Sequence, residues 1–303
     1  KRAGFGYDFW AVKLNSNGDV AWSKTFGSST RDEAYDIRET FDGGFVMIGR
    51  TFGVADGDVS YVYSSKYDYW VVKLRSDGSL EWEKTYGGTD TDDPNVIRQT
   101  ADSGYILVGP SNSSDGVATV NKGSTDFWVI KIDQAGTFEW QKSFGGTGAD
   151  VATDVVQAKD GGYVVVGNTN SQDGDINAFL HGNVEYWVLK LDDTGRIDWQ
   201  RILGGTGNDY PTAVELVDNG YLISGYSASK DGDVKNGYHT SGNDAWIVKL
   251  DEAGTLLWEK SVGGTGNDMG YSVHSTSDGG CIVAGRTQSS DGDIWNPNGG
   301  IDM

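Results

Sequence analysis

The chain has 303 residues, among them 45 Gly, 11 Trp and 1 Cys, and a formal net charge of -20. That acidity makes nucleic acid and anionic lipid poor partners, since both select for clustered Lys and Arg. No run of 18 apolar residues is present, so no membrane insertion is expected, and one Cys excludes an intrachain disulfide or a cysteine-based metal cluster. Gly runs at about twice its usual share, yet 12% aromatic content supplies the large side chains that disordered chains lack.

In chain order, residues 1–10 lack the apolar stretch of a signal peptide. Residues 9–26 then read as a hairpin, with Trp10 opening an apolar run that ends in Lys13-Leu14 and with Trp22 on the return strand. The same pattern recurs at Trp70, Trp128, Trp187 and Trp246, spaced by 60, 58, 59 and 59 residues. Trp22, Trp82, Trp140, Trp199 and Trp258 each follow 12 residues later, and Asp32, Asp92, Asp150, Asp209 and Asp268 each follow 22 residues after the first Trp. Ten of the eleven Trp are periodic, so repeats starting near Trp10, Trp70, Trp128, Trp187 and Trp246 define the chain.

Each repeat reads as four strands. In the third, strands are expected at 154–158, 163–167, 186–191 and 197–201. Asp160-Gly161-Gly162 and the turn at 192–195 mark hairpins, because tight turns need positive φ, and residues 170–185 form a long loop. Nothing has helical periodicity. Repeated four-stranded units imply an all-β, five-bladed β-propeller, with four antiparallel strands per blade and residues 1–303 as one domain. The chain starts on a third and fourth strand and ends after a second strand, 281–287. A two-plus-two closure by the N-terminal hairpin is therefore expected, because it pairs edges that would otherwise be open. Residues 300–303 repeat the phase of residues 6–9, so a parent array with more blades is the alternative. Cys281 falls where other repeats place Phe45, Tyr105, Tyr163 and Tyr221, and reads as a buried apolar position.

The full repeat is D-x-W-V-V-K-L, then W-x-K, G-G-T-G-x-D, D-G-G-Y-V-V-x-G and S-x-D-G-D. It resembles a β-propeller repeat of secreted and cell-surface proteins of prokaryotes, and is distantly similar to WD40 and PQQ-type blades. The resemblance implies an extracellular or cell-surface location and implies no reaction.

In such a fold the loops after second strands and those between blades share one face. Twenty of the 44 acids fall near it by position. The Asp-Gly-Asp turns make Asp56, Asp58, Asp173, Asp175, Asp231, Asp233, Asp291 and Asp293 the candidate metal ligands, with calcium as the one candidate cofactor, because paired hard oxygens around a Gly bend resemble calcium loops. Asp115-Gly116-Val117 lacks the second Asp, so a site there is expected to be weak. The competing reading is a set of ordinary Asp/Gly turns. Residues that differ between repeats are the better ligand candidates: Tyr61, Tyr63, Tyr67, Phe179, His181, Tyr238, His239 and Trp295 in the loops, with Arg38, Arg98, Val156, Glu215 and His274 on inner strands. Aromatic rings beside carboxylates suit a glycan or a surface protein. The three His lie in different repeats, which argues against zinc. The Gly-Gly-Thr-Gly loop lacks the Lys and helix of a phosphate loop.

The expected function is a non-enzymatic extracellular binding or display module. One alternative is a glycoside-active enzyme at the channel mouth, with Glu39 and Glu215 as non-repeated acids. The other is a structural spacer of a large surface protein or filament.

Overall fold

The computed structural model describes residues 6–118, 120–235 and 242–295. Every described element is a strand. By contact the chain divides into two compact units, residues 1–144 and 145–303.

The first unit holds β1 (Phe9–Leu14), β2 (Val20–Phe26), β3 (Asp32–Glu39), β4 (Phe45–Phe52), β5 (Tyr67–Leu74), β6 (Leu80–Tyr86), β7 (Val96–Gln99), β8 (Tyr105–Ser111), β9 (Asp126–Ile132) and β10 (Phe138–Phe144). β1–β2 is a two-stranded sheet; β3 to β6 and β7 to β10 are four-stranded antiparallel meanders. The second unit holds β11 (Asp150–Gln157), β12 (Tyr163–Thr169), β13 (Glu185–Leu191), β14 (Ile197–Leu203), β15 (Asp209–Val217), β16 (Gly220–Ser227), β17 (Asp244–Leu250), β18 (Leu256–Val262), β19 (Asp268–Ser275) and β20 (Cys281–Thr287). β11 to β14 and β15 to β18 are meanders, and β19–β20 is two-stranded. The four strands expected per repeat are therefore present. They run longer than the apolar patterns suggest: β11 starts at Asp150 rather than at residue 154, because Asp150, Val151 and Ala152 also pair with β12, with Thr153 left out at a register shift.

The two Trp columns do different work. Trp70, Trp128, Trp187 and Trp246 are fully buried. Their indole N–H groups donate to Glu83, Gln141, Gln200 and Glu259 across the hairpin at 2.8–3.1 Å. Their rings meet the aromatic residue that precedes the Trp of the repeat before: Phe9 on Trp70 at 4.5 Å, Tyr69 on Trp128 at 4.8 Å and Tyr186 on Trp246 at 4.6 Å. Such tilted pairs add to the large apolar area each ring buries. The second column reaches forward one repeat. Trp22, Trp82 and Trp199 donate to the carbonyls of Ser76, Gln134 and Glu252. Their rings lie on Gly78, Gly136 and Gly254, where a β-carbon would stand 2.7–2.9 Å from the indole. These Gly have φ of 77–78°, so the turn and the ring contact both require Gly.

The third-strand lysines are buried rather than solvated. Lys73, Lys131 and Lys190 are 1–3% exposed. Each donates to its neighbour's carbonyl (Leu74, Ile132, Leu191) and pairs with two acids: Asp42 and Glu81, Asp102 and Glu139, Asp160 and Asp198, at 2.7–3.3 Å. Asp42, Asp102 and Asp160 are the acids of the turn between first and second strands, so each Lys ties that turn to the fourth strand. Asp102 is held down to about 2: its burial works against this, and bonds from Thr100 and Lys131 outweigh it. Cys281, read as a buried position, is only half-buried: among the described residues of its unit, β20 pairs with β19 and with no further strand.

Trp187→Ala removes a fully buried ring and its bond to Gln200, so it is expected to lower unfolding free energy by about 3–5 kcal/mol in urea titration.

Candidate functional site

Each loop that follows a fourth strand is organised by one buried aspartate. Asp92, Asp150 and Asp209 are 0% exposed and Asp268 is 2% exposed. One oxygen of each accepts the backbone N–H four residues earlier: Gly88, Gly146, Gly205 and Gly264, at 2.8–3.0 Å. The same oxygen accepts the hydroxyl of Ser113, Ser171, Ser229 and Ser289 at 2.6–2.9 Å. In three of them the other oxygen accepts a hydroxyl from the end of the second strand, Ser111, Thr169 or Thr287. In the first repeat Asp32 takes the N–H and hydroxyl of Ser28 instead, at 2.6 and 3.0 Å.

The Asp-Gly-Asp turns dock on these loops. Asp115, Asp173, Asp231 and Asp291 accept the backbone N–H of Thr89, Thr147, Thr206 and Thr265 at 2.7–2.8 Å, and the hydroxyls of the same Thr. Asp56 accepts from Ser29 N–H at 2.7 Å. The central Gly57, Gly116, Gly174, Gly232 and Gly292 have φ of 64–68°, which permits the turn. The second Asp closes it. The N–H groups of Asp58, Asp175, Asp233 and Asp293 donate to Gly27, Gly145, Gly204 and Gly263 carbonyls at 2.8–3.0 Å. The carboxylates of Asp58, Asp175 and Asp233 accept the same glycines' N–H. Val117 keeps the backbone bond, to Gly87, without the carboxylate, so that turn has the same shape.

These carboxylates thus serve as acceptors for the chain's own donors. A calcium cage takes six to eight oxygens, and among the described residues no group of three or more His, Cys, Asp or Glu converges to hold a metal ion.

A second acid lies against the first Gly of each loop. Asp68, Glu185 and Asp244 are 0% exposed. A β-carbon at Gly87 would collide with Asp68 Oδ1 and Asp92 Oδ2; at Gly263 it would stand 2.5 and 2.6 Å from Asp244 and Asp268. Among the described residues, no Lys or Arg forms an ion pair with Asp68 or Asp92. Burial pushes Asp68 up to about 7, with Asp92 adding to it, and burial pushes Asp92 and Asp209 up to about 6. His181 Nδ1 lies 3.6 Å from Glu185 Oε2, and its own N–H and that of Gly182 donate to Oε1.

Of the other expected site residues, Tyr61 and Tyr63 meet edge to face at 4.9 Å in the first unit. In the second, Phe179 and Trp295 stand 89% and 86% exposed. Tyr238 and His239 lie outside the described residues. The inner-strand set is engaged in pairs: Arg38 and Arg98 both reach Asp36, at 3.1 and 2.8 Å, and Glu215 accepts from Ser275 N–H and Oγ beside His274.

A cluster in the first unit escaped the sequence reading. Arg50 on β4 donates to Glu33 on β3 and to Asp93 at 2.6–2.8 Å. Its guanidinium lies 4.0 Å over the Tyr67 ring and 5.7 Å over Tyr35. Phe52 packs on Tyr67 at 4.9 Å. Most other repeats carry unlike residues at these places; Arg50, for example, corresponds to Pro110, Asn168 and Tyr226, and recurs only as Arg286. In the second unit the same places hold the stacked pair Tyr210 and Tyr226, at 5.1 Å. The signal available in the sequence was departure from the repeat at the first and third residues of β3 after Asp32 and just after Gly49.

Two outcomes follow. Asp150→Ala strands the Gly146 N–H and two hydroxyls in a buried site and is expected to cost roughly 3 kcal/mol or more, against about 1 kcal/mol for the exposed Asp173→Ala, both by urea titration. A folded carboxyl raised above its unfolded value stabilises below about pH 4, and that contribution is lost as pH rises through about 6 to 7. The lysine-paired Asp102 loses its contribution on the other side, as pH falls from about 4 to about 2. Stability is therefore expected to be highest near pH 4–5 and to fall toward 7, read from the urea midpoint across pH; a rise over that interval would contradict the buried-acid account.

No family model matches the chain. It is similar to regulatory protein FlaEY of Caulobacter vibrioides, 26% identical over 164 residues. The match takes in 51% of this chain and 17% of that protein, so the chain spans under a fifth of the curated relative's length. Among solved structures it is similar to a protein of unknown function from Bacteroides caccae, with TM-score 0.31 and 12% identity over 84% of this chain and 93% of the other. It is also similar to an ACO/RPE65 chimera, with TM-score 0.39 and 13% identity over 82% and 54%.

Proposed function

We propose that the chain is a non-enzymatic binding or display module, a five-bladed propeller closed two-plus-two, whose ligand is a glycan or a surface protein. The observation that carries this is the division of labour among its residues. The acids that recur in every repeat are taken up in holding loops, turns and lysines, so they are not available as a pair of unequal catalytic carboxylates. Chemistry that the fold does not need is left to the residues that differ between repeats. An extracellular location rests on the resemblance of the repeat to cell-surface propellers.

The closure rests on three seats left open within the units. Trp10 is 68% exposed although its four counterparts are 0%. An apolar groove of about 500 Å³ beside β19–β20 is lined by Ala245, Ile247, Val262, Met269, Val283 and Ile294. Ala245 stands where other repeats place the aromatic residue that meets the next Trp, so Trp10 would find room there. Trp258 is 40% exposed, and Gly18, with φ of 85°, has nothing within 4 Å of a β-carbon position. In the other repeats those two kinds of residue meet. Pairings such as Ser224 with Ile247 and Ile48 with Val71 transfer to a β20–β1 register in which Ala284 faces Ala11.

Ala11→Cys with Ala284→Cys, in a Cys281→Ser background, is expected to form an intramolecular disulfide on mild oxidation, seen as faster migration in nonreducing gels; cross-linking only between molecules would overturn closure. The protein is expected to be retained on a glycan or surface-protein array while releasing no reducing ends from a polysaccharide panel. Cleavage that disappears in Glu215→Gln would replace the module reading with the enzymatic one, and a blank array would favour the spacer.

A further inference from the structure

Building on the binding-module reading, we propose that the cluster around Arg50 and Tyr67 is a saccharide site that takes uncharged sugar residues. Its rings are open to solvent: Tyr35 is 46% exposed and Phe52 is 37% exposed. They are also fixed in place. The Arg50 guanidinium lies over the Tyr67 ring at 4.0 Å and is paired with Glu33 and Asp93, while Phe52, opposite Tyr67 across the β4–β5 pair, packs on it at 4.9 Å. A ring held this way loses little freedom when a ligand stacks on it, which favours affinity. Sugar rings present flat C–H faces bordered by hydroxyls, and the cluster offers that combination: aromatic faces bordered by a planar donor and two carboxylate acceptors.

The charge balance chooses among ligands. Arg50 and Arg31 are matched by Glu33 and Asp93, with Arg31 bonded to Glu33 at 2.9 Å, so the cluster is close to neutral. Around it the chain carries a net charge of -20, which repels uronic acids and sulfated glycans. The four-stranded order does not require these side chains: the equivalent places in the second repeat hold Asp93, Asn95 and Pro110, and there the strand order is kept although β7 is shortened to Val96–Gln99.

The test is calorimetry of the whole protein with cellohexaose, mannohexaose, xylohexaose and chitohexaose, alongside oligogalacturonate and a proline-rich peptide. At least one neutral hexasaccharide should bind, at least about tenfold more weakly to Tyr67→Ala and to Tyr35→Ala. Tyr67→Phe keeps the ring and should retain binding, which separates loss of the site from loss of the fold. Phe179→Ala should bind as the parent does. Failure of every neutral sugar to bind, or binding untouched by Tyr67→Ala, overturns this site. Oligogalacturonate or peptide binding that is lost in Tyr67→Ala overturns the neutral-sugar assignment while leaving the binding-module reading in place. Sugar binding lost in Phe179→Ala but not in Tyr67→Ala moves the ligand to the loops, with the same consequence.

Discussion

The buried aspartate at the start of each first strand is the constraint on which the rest of the chain depends. A carboxylate removed from water costs far more than one hydrogen bond returns, so it is tolerated only when donors converge on it. Asp150 collects a backbone N–H from its own loop and two hydroxyls from the far end of the second strand. That requirement dictates Gly-Gly-Thr before it and Thr-x-Ser after it. The loop it shapes then presents the Thr147 N–H and hydroxyl to which Asp173 docks. One desolvated side chain thereby ties its own loop to a segment 19 to 21 residues downstream, and repetition of that unit explains most of the periodic Gly, Asp and Ser.

The second acid beside each hub adds a cost of a different kind. Asp68 and Asp92 face the same glycine. Burial pushes both carboxyls upward there, Asp68 to about 7 and Asp92 to about 6. The opposite ends of the sheets use the reverse solution, a buried lysine held by two acids. A repeat thus carries an end where buried acids take hydrogen bonds and an end where acids pair with a buried lysine, and its acidity is unevenly distributed in consequence.

Much of this was legible in the sequence because periodicity reports packing. Two Trp columns, Asp-Gly hairpins and the four-strand unit could be read from spacing alone. The role of the Asp-Gly-Asp turns could not. An i, i+2 pair of carboxylates around Gly is the same string whether its oxygens face an ion or the N–H groups of a loop 26 residues upstream, as Asp173 and Thr147 do. The buried lysines were hidden for a related reason: Lys73 sits in an apolar strand whose alternation does not say which acids lie beyond its end. The Arg50 cluster was less legible because Glu33, Tyr35 and Arg50 lie within β3 and β4, where strand spacing does not say which side chains meet.

The second Trp column has a direction. Trp22, Trp82 and Trp199 each reach forward to the glycine turn of the next repeat, never back. Every repeat therefore has a face that gives a ring and a face that receives one, and the two are unlike. Contacts of this head-to-tail kind are heterologous: they either close on themselves or continue to another molecule. An array built from such units has no inert end, so the number of repeats sets whether the chain is a closed particle or the seed of a filament.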